Sequence, residues 1–138
     1  MTETTQSAEA PAAAEVRMPG PILVIDDDEA VGIVLGRALA RLGYTADIAT
    51  DGTKGVDLYR RDPSRYSLVL LDFKLPGMDS RTVFGEIRGV RSEIPVVLMS
   101  GYNRDEALEK SQGLALSGFL KKPFTMDALA AALSLANG

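Results

Sequence analysis

The 138-residue chain contains no cysteine, no histidine and no tryptophan. Without cysteine, disulfides and thiolate metal sites are excluded, and a reducing compartment, the cytoplasm, is the expected location. Without histidine, the commonest general base and the usual ligand of zinc, copper and nickel are missing. Any nucleophilic, acid–base or metal chemistry must therefore use Asp, Glu, Lys, Ser, Thr or Tyr, and hard oxygen ligands favour Mg²⁺, Mn²⁺ or Ca²⁺. A basic surplus is also missing. The net charge of −4 argues against a nucleic-acid surface. Apolar runs such as Ile22–Ile25 and Leu68–Leu71 are far too short to cross a bilayer, so no membrane association is expected. The start, Met1-Thr2-Glu3, has neither the basic residues nor the apolar stretch of a secretory leader.

What is present suffices for one globular domain, with 46% hydrophobic and 25% charged residues. Residues 1–19, mainly Thr, Ser, Glu, Ala and Pro, offer too little apolar surface to offset ordering and are expected to form a disordered tail. From residue 20 to 138 the pattern is that of a folded domain. Ile22–Ile25, Leu68–Leu71 and Val96–Met99 are continuous aliphatic runs, as expected of strands buried on both faces of a parallel sheet. Helical stripes separate them. Val31, Val34, Leu35, Ala38, Leu39 and Leu42 form the first, closed by Gly43. Val83, Ile87 and Val90 form another, and Leu129, Ala132, Leu133 and Ala136 a third, capped by Thr125. Tyr44–Ala49 reads as a more polar edge strand, Asp51–Arg61 as a helix, Asp105–Ser111 as a short helix and Gly118–Leu120 as the last strand. Five β-α units predict a doubly wound α/β three-layer sandwich, a (βα)5 fold with its parallel sheet in the order 2-1-3-4-5.

In such a sheet ligands bind beyond the carboxyl ends of the strands. Four of those ends carry polar residues: Asp26-Asp27-Asp28, Asp72, Ser100-Gly101 and Lys121-Lys122-Pro123. Each alone has a bland reading. The Asp triplet can cap a helix, which is the role expected of Asp28, and Asp72 can open the turn at Pro76-Gly77. Together they are harder to dismiss. Two carboxylates about 4 Å apart repel by roughly 4 kcal/mol at an effective dielectric near 20. Asp26, Asp27 and Asp72 carry −3, and one lysine leaves −2, which a divalent cation would neutralise. A carboxylate beside that cation can act as nucleophile on a phosphoryl donor.

The segments ILVIDDDEA, LVLLDFKLPGMDS, PVVLMSGYN and GFLKKPFTMDAL, in this order and spacing, resemble the response-regulator receiver domain, the CheY-like phosphoacceptor of two-component phosphorelays. The resemblance spans residues 21 to about 136. It implies that Asp72 is the phosphorylated residue and a ligand of Mg²⁺, with Mn²⁺ as a substitute. It further implies that Asp27 ligates the metal directly, Asp26 largely through water, and Lys74 through its backbone carbonyl. Ser100, Gly101 and Lys122 are then the phosphoryl-binding residues, and Ser100 with Phe119 the switch. A strand ending at Ile25 selects Asp26 and Asp27, rather than Asp27 and Asp28, as the acidic pair. Tyr102, with Lys74, is expected to tune the lifetime of the acyl phosphate; the plain alternative for Tyr102 is packing on the rim. Ser80 stands where the family usually has Gly, and Phe119 replaces the commoner Tyr.

The resemblance implies a signalling phosphoacceptor without separate substrate turnover. Its phosphoryl donor would be a histidine kinase or histidine phosphotransfer protein. Its output would pass through the face made by the fourth helix, fifth strand and fifth helix to a downstream protein, as a monomer or a weak phosphorylation-dependent dimer. No effector output of its own is expected, and Ser100-Gly101-Tyr102-Asn103 with Gly118-Phe119-Leu120 resembles receivers of hybrid histidine kinases, so the alternative role is a phosphate shuttle or sink, or the receiver portion of a hybrid histidine kinase. Three rivals weaken on the residues. A pseudo-receiver would lack an acid or the lysine. A flavodoxin-type carrier would meet a repelling Asp triplet at its phosphate loop. A dehalogenase-type phosphatase needs an acid where Lys74 stands.

Overall fold

A computed structural model describes residues 20–137. The expected tail, residues 1–19, lies outside the described residues. The strands are β1 (Ile22–Ile25), β2 (Ala46–Ala49), β3 (Leu68–Asp72), β4 (Val96–Ser100) and β5 (Gly118–Lys121). The helices between and after them are α1 (Glu29–Arg41), α2 (Gly52–Arg61), α3 (Ser80–Val90), α4 (Arg104–Lys110) and α5 (Met126–Asn137). All pairings are parallel, in the order β2-β1-β3-β4-β5. The doubly wound (βα)5 sandwich expected from the aliphatic runs is the observed fold.

Each central strand buries both faces, which is why its sequence does not alternate. Ile22, Val24, Leu68, Leu70, Val97 and Met99 pack under α1 and α5, through Leu35, Leu39, Leu129 and Leu133. Leu23, Ile25, Val69, Leu71, Val96 and Leu98 pack under α2 and α3, through Val56, Tyr59, Val83 and Ile87. Helix α2 lies so close to β1 that a Cβ on Gly55 would fall 2.5 Å from Ile25 Cδ1. Gly43 ends α1 with φ +92°, in the left-handed region that glycine occupies without strain.

The helix starts follow from side-chain caps. Asp28, Asp51, Asp79 and Asn103 accept backbone N–H bonds from the first turns of α1 to α4, and Thr125 accepts from Ala128. Three sequence expectations need correction. Val34 and Val90, counted into apolar stripes, are 56% and 46% exposed, because each lies at the edge of its helix's buried arc. The edge strand starts at Ala46, two residues later than expected, since Tyr44 is still held by the α1 terminus through Leu39 O.

Candidate functional site

The Asp triplet divides into three environments. Asp26 continues β1, donating its N–H to Ala49 O at 3.1 Å, and its side chain is fully buried. Its Oδ1 accepts the Asp28 N–H at 2.9 Å. Asp28 turns away to cap α1, accepting from Ala30 and Val31 at 2.9 and 3.3 Å. Asp27, between them, is exposed and lines a cavity of about 500 Å³ over the carboxyl ends of the strands.

Asp72 ends β3 within that cavity, 5% exposed. Its carbonyl and that of Phe73 both accept from the buried Ser80 hydroxyl, so the residue where glycine was expected ties down the chain behind the carboxylate. Lys122, just past β5, reaches across both acids, with Nζ 2.8 Å from Asp26 Oδ2 and 3.2 Å from Asp72 Oδ1. Its backbone N–H donates to Ser100 O at 2.7 Å, which fixes the β5 end against β4. The Ser100 hydroxyl accepts the Tyr102 N–H at 3.0 Å, leaving its own proton free to donate.

Burial, then the neighbouring Asp26 charge, push the Asp72 carboxyl up to about 6, against the opposing pull of Lys122 and the Lys74 backbone. Burial alone would lower the Lys122 pKa, but its contacts with Asp26 and Asp72 outweigh that and hold it above its ordinary value. Oxygen atoms of Asp26, Asp27 and Asp72 all lie within 4.8 Å of one another. Three carboxylates facing one ammonium leave negative charge in excess, and the donor set is entirely hard oxygen. These residues fit a divalent cation such as Mg²⁺, and the exposure of Asp27 leaves it a path from solvent.

The cavity brings together Asp27, Asp72, Lys74, Ser100, Gly101, Tyr102 and Lys122, with Asp26 beneath them. Phe119 is not among its lining residues. It sits half-buried in β5, opposite Leu98 and against the cluster under α2 and α3. Three neighbours were given no role from sequence. Phe73 lines the cavity and meets the Tyr102 ring edge-on at 5.9 Å. Lys121 Nζ donates to Gly101 O at 3.2 Å. Lys110, from the last turn of α4, stands 5.0 Å from the Tyr102 ring centre. Phe73 and Lys121 stand next to Asp72 and Lys122 in the chain, but no motif or spacing links Lys110 to the acids; the fold alone makes it a neighbour. Among the described residues no helix is long and apolar enough to cross a membrane.

Comparison with known proteins agrees with this geometry. The family model for the response regulator receiver domain matches residues 22–134. The response regulator MprA of Mycolicibacterium vanbaalenii is 35% identical over 116 residues, which cover 83% of this chain and 48% of that protein. The chain thus spans about half the length of the curated relatives it matches. A receiver domain protein from Clostridium thermocellum has the same fold, with a TM-score of 0.78 at 22% identity over 86% of this chain and 94% of that one. The receiver domain of an HD domain-containing protein from Pseudomonas fluorescens Pf-5 superimposes with a TM-score of 0.74 at 28% identity, over 86% of this chain and 94% of that one.

Proposed function

The chain belongs to the response regulator receiver family, and on that premise we propose that Asp72 is its phosphoacceptor. The observation that carries the reading is the bridge of Lys122 between Asp26 and Asp72, set beside Ser100 in one open cavity. In the proposed reaction an Asp72 carboxylate oxygen attacks the phosphorus of a partner's phosphohistidine. The P–N bond breaks, and its electron pair leaves with the imidazole, which takes a proton from solvent. Lys122 and the Ser100 hydroxyl then offer donors to the phosphoryl oxygens, and the exposed Gly101 leaves room beside them.

A bound Mg²⁺, or Mn²⁺ on the same oxygens, would neutralise charge on the transferring group. Asp27 and Asp72 would hold it directly, Asp26 through water and Lys74 through its carbonyl. Partner access has support on the surface. Ile33 and Val34 of α1 are exposed beside a groove lined by Ala30, Val31, Val34, Pro123 and Phe124, with Lys122 at its border. A histidine kinase or phosphotransfer protein docking there would bring its phosphohistidine to the cavity.

Output follows from the added charge of about −1.5 to −2. Ser100 turns toward the phosphoryl group, Phe119 moves into the space released, and the face of α4, β5 and α5 changes for a downstream protein. The domain acts as a signalling acceptor with no separate substrate turnover.

Incubation with acetyl phosphate and Mg²⁺ tests the reading. The wild-type chain should gain one acid-labile phosphate and Asp72→Asn none; phosphate on the variant overturns the assignment. Beryllofluoride with Mg²⁺ should move the amide resonances of residues 100–120. An unmoved segment would remove the switch.

A further inference from the structure

We infer that Lys110 is a positioning residue that holds Tyr102 at the rim of the cavity and so prolongs the life of the acyl phosphate. This rests on the reading of Asp72 as acceptor. The half-buried Tyr102 ring has contacts of two kinds. Phe73 and Lys74, the latter with Nζ 4.8 Å from the ring centre, come from the segment after Asp72 that Ser80 ties down. Lys110 comes from α4, a seven-residue helix in which only Ala107 is buried. Such a helix has little packing of its own to fix its position.

A second contact moors the same helix end. Arg81 of α3 donates to Gln112 O at 2.6 Å and to Lys110 O at 3.4 Å. Lys110 therefore stands between α3, through its carbonyl, and Tyr102, through its ammonium. The ring edge of the cavity is set from both sides.

The consequence falls on hydrolysis. A water oxygen attacks phosphorus opposite the Asp72 oxygen, the P–O bond to the carboxylate breaks, and the carboxylate keeps the electron pair. Inorganic phosphate leaves and the water proton passes to solvent. A ring held at the rim restricts that approach, and a ring released from Lys110 does so less.

Lys110→Met keeps the length of the side chain and removes its charge. In the full chain it should shift the Tyr102 ring resonances before phosphorylation and shorten the phosphate half-life about two- to fivefold, the scale of one exposed cation–π contact. Lys110→Arg should restore both, and Arg81→Met should move both in the same direction by less. Unmoved ring resonances in Lys110→Met overturn the inference, as does a moved ring with an unchanged or longer half-life. Failure of the wild-type chain to take up phosphate would strike the acceptor reading itself. The ring resonances would still report whether Lys110 holds Tyr102.

Discussion

The two ends of the sheet treat charge in opposite ways. At the amino ends of the strands, polar groups are matched one against another. The Arg91 guanidinium donates to the carbonyls of Tyr66 and Pro63 at 2.6 and 3.2 Å and pairs with Glu93. Asp47 accepts from both Arg65 and Tyr66, and the Arg65 bond holds its carboxyl below the usual range. At the carboxyl ends, acids are gathered faster than cations, and Asp72 is pushed the other way. One end of the fold is built for stability. The other holds a cluster of like charges that costs stability and that a divalent cation would relieve, as expected where function sets the residues.

The comparison breaks most visibly at Lys122. Lys122→Met leaves Asp26 buried and Asp72 nearly so, with no ammonium between them. Its expected cost is about 3–5 kcal/mol in urea unfolding without metal. A cost under about 1 kcal/mol would mean that the acids do not depend on this lysine. Added Mg²⁺ should restore part of the loss.

Acidification separates the two ends. The folded-state pKa of Asp72, about 6, lies above the ordinary 3.8, so the folded state binds the proton more readily than the unfolded one. Metal-free protein should therefore gain stability as the pH falls from 7 through 6 towards 4. The gain is at most about 3 kcal/mol, trimmed because the carboxyl faces an open cavity. Asp47 has the opposite sign: its contribution is present above its unfolded pKa and is lost as the pH falls below the usual carboxylate range. Urea midpoints from pH 7.5 to 3 should pass through a maximum, and Asp72→Asn should remove the rise. A monotonic fall in the wild-type chain would contradict the shift.

Arg91→Ala tests the amino end. It unties two carbonyls and should cost about 1.5–3 kcal/mol in urea, with phosphate uptake unchanged. Lost uptake would show that the ends are coupled. The smallest effect is expected at Tyr59, whose buried hydroxyl has no hydrogen-bond partner among the described residues. Tyr59→Phe should raise stability by about 1 kcal/mol or leave it unchanged. A loss of that size would mean the hydroxyl is bonded after all.

The carboxyl end was largely legible in the sequence because its residues directly follow aliphatic runs. Once Ile25, Leu71, Met99 and Leu120 are read as strand interiors, the next polar residues fall at one edge of one sheet. The helices were legible where periodicity and caps coincide, as in α5 with Thr125. Val34 and Val90 were misplaced because a count along the helix does not locate the edge of its buried arc. Ser80 was visible only as a departure from glycine; its bonds to the Asp72 and Phe73 carbonyls depend on how the loop folds back. Lys110 and Arg81 gave no signal at all. Their contacts depend on where α4 lies against α3, and that is set by packing between elements distant in sequence.

The place of Lys122 has one further consequence. It follows β5, an edge strand paired only with β4, whereas Asp26 and Asp72 belong to the centre of the sheet. Edges open locally at less cost than centres. When β5 frays, the acids lose their ammonium while the rest of the sheet stays formed, so their unrelieved repulsion favours reclosure. Hydrogen exchange at Phe119 and Leu120 should therefore quicken in the presence of Mg²⁺, which takes over the neutralising charge, although those amides lie on a strand that supplies the metal with no carboxylate. Occupancy of the site and integrity of the edge would then be two readings of one equilibrium.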